Sequence, residues 1–129
     1  MKKSLSRSKE RNNAMICIYQ GLCVGKELDK AVEDEFRMPF DQCSPYIQQV
    51  VNDVNENFEV YEETINSRLK GYKFQRLGYV EQAILLLAMA EMNQHIADKA
   101  IIINEAVELS KRYCDDEAHK LINGVLDRE

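Results

Sequence analysis

Apolar residues recur at steps of three and four positions along almost the whole chain, and no segment alternates apolar with polar residues. A step of three or four returns to the same face of an α-helix, whereas a half-buried strand needs alternation. The 129 residues include only five glycines and two prolines, which is few for the many turns of a β-sandwich. The hydrophobic fraction of 45% is too high for a disordered chain. These features predict an all-α fold.

The same spacing divides the chain into helices that we expect to share one domain, residues 1–129, since this length is typical of a single domain. Five helices are predicted over residues 14–22, 27–37, 47–69, 79–95 and 100–113, and the apolar stripe of a sixth runs from Ala118 to Leu126. The helix over 79–95 is apolar on most of its sides. It is therefore predicted to be the central helix of the fold.

Several residues are suited to begin or end these helices. Ser44 is placed to cap the helix that follows it, and Pro45 to take its first position. Gly71 is expected to end the same helix. Asp115 or Asp116 is predicted to cap the last helix of the chain.

Positive charge is concentrated at the N-terminus. The first eleven residues hold five of the 17 basic residues and one of the 22 acidic ones, although the whole chain has a net charge of −5. The basic residues are Lys2, Lys3, Arg7, Lys9 and Arg11. Such asymmetry is typical of a basic arm for an anionic partner, and this arm, residues 1–11, runs directly into the first helix. An ordinary solvated terminus is the alternative.

The sequence contains no catalytic or cofactor-binding motif, so we expect no enzyme, no cofactor and no metal site. A Gly-rich phosphate loop and a Gly-x-Ser-x-Gly motif are both missing. Glu91 and His95 lie four positions apart, but one such pair favours a surface hydrogen bond over a metal. Cys114 is near His119 in sequence, yet acidic residues 115–117 would raise its thiol pKa rather than activate it.

The cysteines and the apolar runs indicate a cytoplasmic protein. Four cysteines without a Cys-x-x-Cys pair are expected to be reduced and mostly buried. The longest apolar run, residues 83–90, is far shorter than the roughly 20 residues that cross a membrane. A secretory signal is not expected, because no small-x-small cleavage site follows the apolar residues 14–25.

Two stretches of the C-terminal half carry a specific resemblance. Residues 103–111 read Ile-Asn-Glu-Ala-Val-Glu-Leu-Ser-Lys, and residues 119–127 read His-Lys-Leu-Ile-Asn-Gly-Val-Leu-Asp. At this spacing the pair resembles the NusB family of bacterial transcription antitermination factors. Residues 76–85 look like the start of that family's central helix, and residues 7–19 are similar to its arginine-rich opening.

This resemblance implies a fold and a function. The fold would be all-helical, with about seven helices in two small bundles packed together. The family binds the boxA element of nascent RNA, chiefly ribosomal RNA leaders, together with the ribosomal protein NusE. It acts within the RNA polymerase antitermination complex, and its stand-alone members are not enzymes. Homologues of this fold are monomers or dimers, so a homodimer is left open.

The resemblance and the chemistry of single-stranded RNA, which is held by cations and stacking rings, point to a common set of residues. The predicted RNA-binding residues are Arg7, Lys9, Arg11, Tyr19, Glu117, His119, Lys120 and Leu121. Glu81 is assigned to the contact with NusE, as an acidic residue that meets a basic protein. Tyr19 as a core residue and Glu81 as a solvated one are the alternatives. Asn104 and Glu105 are predicted to tie helices together, and Gly124 to allow a close helix approach.

Some positions depart from the family pattern. Ser8 and Glu10 stand between the cations of the arm, and Leu121 stands where the family usually has Phe. Each lost phosphate contact weakens RNA binding and its dependence on salt. The alternative function is therefore a helical protein-interaction module that binds NusE but has lost specific boxA binding.

Overall fold

Residues 6–128 are described by a computed structural model, and in this range the chain forms six α-helices, two single 3₁₀ turns and no strand. The helices are α1 (Arg7–Val24), α2 (Leu28–Phe36), α3 (Pro45–Arg68), α4 (Tyr79–Asn93), α5 (Lys99–Tyr113) and α6 (Ala118–Asp127). The 3₁₀ turns, Phe40–Gln42 and Phe74–Arg76, lie in the two long connections. The all-α prediction is confirmed. The helix count is six rather than about seven, because these connections form only single turns.

The central helix is α4, as predicted. Its residues 82–88 are all buried, and it packs against α1, α3, α5 and α6. Helices α1, α2 and α3 also pack on one another, as do α5 and α6, so that α4 joins two small groups of helices. One apolar core includes residues from all six helices. The continuous apolar surface of α4 is thus explained by neighbours on most of its sides.

The ends of α3 follow the predicted chemistry only in part. Ser44 Oγ accepts a hydrogen bond from the Ile47 N–H at 3.3 Å, and Pro45 is the first helical residue, both as predicted. The helix ends at Arg68, before Gly71. Gly71 has a φ of 78° and lies in the turn that follows, where a left-handed backbone favours glycine.

The end of α4 is held by a buried carboxylate on α3. Asp53 is 2% exposed and accepts hydrogen bonds at 2.6 Å from the side-chain amides of Asn93 and Gln94. It also accepts one from the Tyr61 hydroxyl. These bonds tie the last turn of α4 to α3, and the helix ends at Asn93, two residues earlier than predicted.

The start of α6 differs from the prediction. Glu117, not Asp115 or Asp116, occupies the position before the helix, and its side chain does not cap it. The Ala118 N–H donates to the Asp115 carbonyl oxygen at 3.2 Å, so residues 115–118 form a turn. This turn moves the helix start beyond the two aspartates, which are therefore too early to cap it.

Within residues 6–128, no helix combines the length and the hydrophobicity that a bilayer span requires.

Buried thiols and phenols should make the fold sensitive to alkaline pH. Burial raises the pKa of the Cys17 thiol from 9.0 to about 12 and that of Cys114 to about 11, and it also raises the pKa values of Tyr46 and Tyr61. Above pH 9.0 the unfolded thiols release protons that the folded protein keeps, so the free energy of unfolding should fall. Urea unfolding under reducing conditions, at pH 7 and in steps from pH 9 to 11, would measure this.

A matched variant isolates the thiols. The Cys17→Ala, Cys114→Ala protein should lose less stability over the same pH range, because two of the groups with raised pKa values are gone and only Cys43 and the tyrosines remain. A wild-type free energy of unfolding that stays constant between pH 9 and 11 would contradict the burial argument.

Candidate nucleic-acid interface

The first turns of α1 present two of the predicted cations, Arg7 and Lys9, to solvent. Ser6 caps the helix, and its Oγ accepts a hydrogen bond from the Lys9 N–H at 3.2 Å. The Arg7 guanidinium lies over the Tyr46 ring, 4.3 Å from its centroid, yet 47% of the side chain is exposed. The cation–π contact orients the guanidinium while leaving it accessible to a phosphate. Residues 1–5 of the predicted basic arm lie outside the described residues.

The Arg11 side chain is buried, unlike the solvent-facing cation expected from the sequence. The residue is 3% exposed, and its Nε and Nη2 donate to the two carboxylate oxygens of Glu91, both at 2.7 Å. The Tyr46 hydroxyl donates to Glu91 at 3.0 Å, and Glu105 Oε1 lies 3.7 Å from Arg11 Nη1. Arg11 is three residues before Ala14, on the inward face of α1. Its position in the helical repeat thus turns it into the protein.

Arg11 keeps its positive charge in this buried site. Burial alone lowers the pKa of Arg11, but the hydrogen bonds and negative charge of Glu91 outweigh it, and the pKa is raised. A two-bond arginine–carboxylate contact of this kind links α1 firmly to α4. Because Arg11 is committed to Glu91, we do not include it in the RNA-binding surface.

The predicted hydrogen bond between Glu91 and His95 is wrong. Glu91 faces Arg11, and His95 lies beyond the end of α4 with a φ of 52°. The helical spacing of four residues therefore does not apply to the pair. In the described part of the chain, no three His, Cys, Asp or Glu side chains are grouped closely enough to hold a metal ion.

The first turn of α6 holds the remaining predicted RNA-binding residues. Glu117 and Lys120 are exposed, and their charged groups lie 3.7 Å apart. His119 is half-buried, and Leu121 packs partly against the core. The Glu117 side chain does not cap the helix, and the Ala118 and Lys120 N–H groups donate instead to the carbonyl oxygens of Asp115 and Glu117, both at 3.2 Å.

A groove of about 330 Å³ brings together Tyr19 and Glu81, which were assigned to different partners. It is lined by Tyr19, Cys23, Gly78, Tyr79, Val80, Glu81, Tyr113, Cys114 and Asp115, and we call it the Tyr19 groove. Tyr19 is half-buried, on the edge of the core rather than inside it. The groove therefore combines apolar, aromatic and acidic surface on α1, α4 and α5.

Glu81 also has a structural role. Its Oε1 accepts a hydrogen bond from the Gly78 N–H at 3.1 Å, which caps α4. Burial, assisted by the negative charges of Glu81 and Asp115, raises the pKa of Cys114 to about 11, and the two carboxylates leave the groove acidic. Cys114 is therefore not an activated nucleophile, in agreement with the expectation from the acidic residues that follow it in the sequence.

The residues of the two family stretches line a second groove, between α5 and α6. Asn104, His119, Lys120, Asn123 and Gly124 all contribute to it. A methyl group added at Gly124 would meet no atom within 4 Å, so the predicted close helix approach is wrong. The glycine leaves this groove open.

The two predicted helix ties behave differently. Glu105 lies beside Arg11 and accepts a hydrogen bond from Ser8 Oγ at 3.4 Å, so it joins α5 to α1 as predicted. Asn104 is exposed in the second groove instead.

A third contact between α1 and α5 was not predicted. Asn12 Oδ1 accepts hydrogen bonds from the Tyr113 hydroxyl at 2.7 Å and from Arg112 Nη1 at 3.3 Å. Both donors lie on the surface at the end of α5. An aromatic residue next to a cation in the sequence was the available signal, but only the fold places them against α1.

Known proteins resemble this chain in sequence and in fold. The model of the NusB family matches residues 8–128. The transcription antitermination protein NusB of Campylobacter hominis is 36% identical over 119 residues, which are 90% of each chain.

Two solved structures extend the comparison. NusB from T. maritima superposes with a TM-score of 0.84 over 98% of this chain and 91% of that chain, at 22% identity, which shows the fold. A crystal structure of the antitermination factors NusB and NusE in complex with double-stranded RNA matches with a TM-score of 0.75 at 28% identity, over 94% of this chain and 92% of that chain. By the family match and by its similarity to these proteins, the chain belongs to the NusB family.

Proposed function

We propose that this chain is a transcription antitermination factor that binds boxA RNA of nascent ribosomal transcripts together with NusE and joins the RNA polymerase antitermination complex. The observation that carries the proposal is the presence of two separate surfaces, one cationic and one acidic and aromatic, in a member of the NusB family. A structurally similar NusB forms a complex with NusE and double-stranded RNA. Two surfaces are what a protein with both partners requires.

The RNA-binding surface that we propose begins at Arg7 and Lys9. Both side chains are exposed, and Arg7 is oriented by Tyr46. His119 and Lys120 add polar and cationic groups at the start of α6, the positive end of the helix dipole, which favours phosphate. We retain Glu117 and Leu121 as flanking contacts of this helix end.

The Tyr19 groove is the surface that we propose for NusE. Ribosomal proteins are basic, and Glu81 and Asp115 make the groove acidic. Tyr19 supplies a large, partly exposed ring beside them, and tyrosine is common among the residues that dominate protein interfaces. We therefore reassign Tyr19 from RNA stacking to the protein partner.

In this proposal, residues 1–129 form one domain. The protein acts in the cytoplasm, and it acts by binding and not by catalysis. The raised pKa of Cys114 supports the absence of a thiol nucleophile, because the group is protonated near neutral pH. One apolar core shared by all six helices supports the single domain.

Fluorescence anisotropy of labelled boxA RNA, against a scrambled RNA of equal length, tests the function. We expect a preference for boxA, tighter binding when NusE is added, and weaker binding at the higher of two salt concentrations. Affinity falls with salt, and the plot of log affinity against log salt should be shallower by about 1.4 in the Arg7→Ala, Lys9→Ala variant. Each phosphate contact on a single strand contributes about 0.7 to the steepness of this plot.

A second double variant is the matched control. Lys26→Ala, Lys30→Ala changes the net charge equally, but Lys26 precedes α2 and Lys30 lies within it, and each is paired with an acidic side chain. It should bind boxA RNA as the wild type does. Equal losses in both variants would mean that only net charge matters and would contradict a defined surface.

The alternative is an interaction module that binds NusE without boxA specificity. It is favoured by the burial of Arg11, which removes one cation from the arm. Wild-type protein that binds NusE but does not distinguish boxA from scrambled RNA would establish this alternative.

A further inference from the structure

The contact of Asn12 with Arg112 and Tyr113 places a cation and a ring side by side. One acceptor, Asn12 Oδ1, holds both, with the Tyr113 hydroxyl at 2.7 Å and Arg112 Nη1 at 3.3 Å. Tyr113 nevertheless remains 42% exposed, and Arg112 is also exposed. Because the hydroxyl is hydrogen-bonded, the orientation of the ring is restrained, and it loses less freedom when a ligand binds.

This cluster lies between the two proposed surfaces. Asn12 is three residues after Lys9, so the two share a face of α1 next to the exposed cations. Tyr113 also lines the Tyr19 groove. An RNA that follows the α1 cations towards a protein in the groove would therefore pass Arg112 and Tyr113.

We propose that Arg112 and Tyr113 bind one nucleotide of single-stranded RNA, with the base stacked on the Tyr113 ring and a phosphate on the Arg112 guanidinium. This inference rests on the proposed function and names an additional RNA contact within it. Stacking on an aromatic ring beside a cation is the usual way in which proteins hold a single strand. The cluster also supplies a cation near the arm, where Arg11 is turned inwards.

A basic protein ligand is disfavoured by charge at Arg112, although Tyr113 borders the groove proposed for NusE. The NusE-type partner is basic and would be repelled by Arg112. The acidic residues 115–117 that follow exclude a broad cationic patch, so the contact is limited to about one nucleotide.

The test compares two pairs of variants for binding to boxA RNA and, separately, to NusE. Tyr113→Leu keeps an apolar side chain but removes the ring, and affinity for RNA should fall about tenfold with an unchanged salt slope. Tyr113→Phe keeps the ring and should retain most of the affinity. Arg112→Ala should make the plot of log affinity against log salt shallower by about 0.7, and Arg112→Lys should keep the wild-type steepness. Neither Arg112 variant should change the binding of NusE alone. Because Tyr113 lines the Tyr19 groove, its two variants are compared by their binding to RNA in the absence of NusE.

Lys111→Ala is the control for charge. Lys111 is the neighbouring cation, 53% exposed, and lies 3.8 Å from Glu108. It should bind RNA as the wild type does. Circular dichroism would confirm that each variant is folded, and the exposed Arg112 allows the test even if Tyr113→Leu is unstable.

The outcomes separate this inference from the proposed function. If Arg7→Ala, Lys9→Ala weakens RNA binding but Tyr113→Leu and Arg112→Ala do not, the nucleotide site is wrong while the function stands. If the wild-type protein does not prefer boxA over scrambled RNA, and the two variants weaken binding to both RNAs equally, the nucleotide site stands and the proposed boxA specificity fails. If Tyr113→Leu weakens only NusE binding, the cluster is a protein contact and the inference is overturned.

Discussion

Replacing Glu91 with alanine should lower the free energy of unfolding by about 3–5 kcal/mol, the largest stability effect that we expect in this protein. Glu91 is 1% exposed and accepts two hydrogen bonds from Arg11 and one from the Tyr46 hydroxyl. Without it, the buried Arg11 guanidinium loses both of its close hydrogen bonds and keeps only the half-buried Glu105 at 3.7 Å, and Tyr46 loses its acceptor. Urea unfolding, followed by circular dichroism, measures the change.

Glu105 provides a matched control on the same guanidinium. Its carboxylate lies 3.7 Å from Arg11 Nη1, but its side chain is 30% exposed. Glu105→Ala should therefore cost less than about 1 kcal/mol, as is usual for a pair screened by solvent. Comparable losses for Glu91→Ala and Glu105→Ala would contradict the difference in burial.

A double replacement tests whether the loss comes from an unpaired charge. Arg11→Met combined with Glu91→Leu removes both charges and keeps apolar volume, and it should recover much of the stability that Glu91→Ala loses. A double variant that is less stable than Glu91→Ala would instead show that the ion pair itself stabilises the fold.

The same cluster connects stability to the proposed RNA surface. Tyr46 bonds to Glu91 and also lies under the Arg7 guanidinium. The ion pair therefore indirectly positions an exposed cation at the start of α1.

Replacing Tyr19 with alanine should weaken binding to NusE by about 30-fold, the largest effect on binding that we expect. Tyrosine side chains at the centre of an interface commonly contribute this much, and Tyr19 lines the groove together with the acidic Glu81. Binding of boxA RNA without NusE should not change, because the RNA surface starts at Arg7 and Lys9. Isothermal titration calorimetry with NusE and anisotropy with RNA alone measure the two affinities.

Tyr72 is the control for Tyr19. It is a tyrosine with 61% exposure, in the turn after α3 and away from the groove. Tyr72→Ala should leave NusE binding unchanged. If Tyr19→Ala weakens RNA binding in the absence of NusE and leaves NusE binding intact, the ring stacks on RNA, as the sequence first suggested.

The fold class and the central helix were predictable, because helical periodicity is a local property. The eight-residue apolar run at Ala83–Ala90 can be buried on all sides only at the middle of a helical fold, and α4 lies there. Ser44 and Pro45 acted as predicted because a cap involves only residues three positions apart. The family was recognisable from the residues at 103–111 and 119–127.

The roles of the charged and aromatic residues were less predictable. Arg7, Lys9 and Arg11 look alike in the sequence, but two point to solvent and one pairs with a carboxylate 80 positions away. Gly124 suggested close packing and instead borders open space, because whether a glycine meets a neighbour depends on the other helix. Tyr19 and Glu81 are far apart in the chain and share one groove.

By itself, the sequence determined the helices, the central position of α4 and the family, since these follow from local spacing and residue identity. Only the tertiary structure decided which cations are available to RNA, which residues form a groove, and that Asn12 joins Arg112 to Tyr113. The physical reason is that burial and pairing are set by contacts between distant segments. The charge of a residue limits the kinds of group that it can bind, and its position in the packed helices determines which of them it contacts.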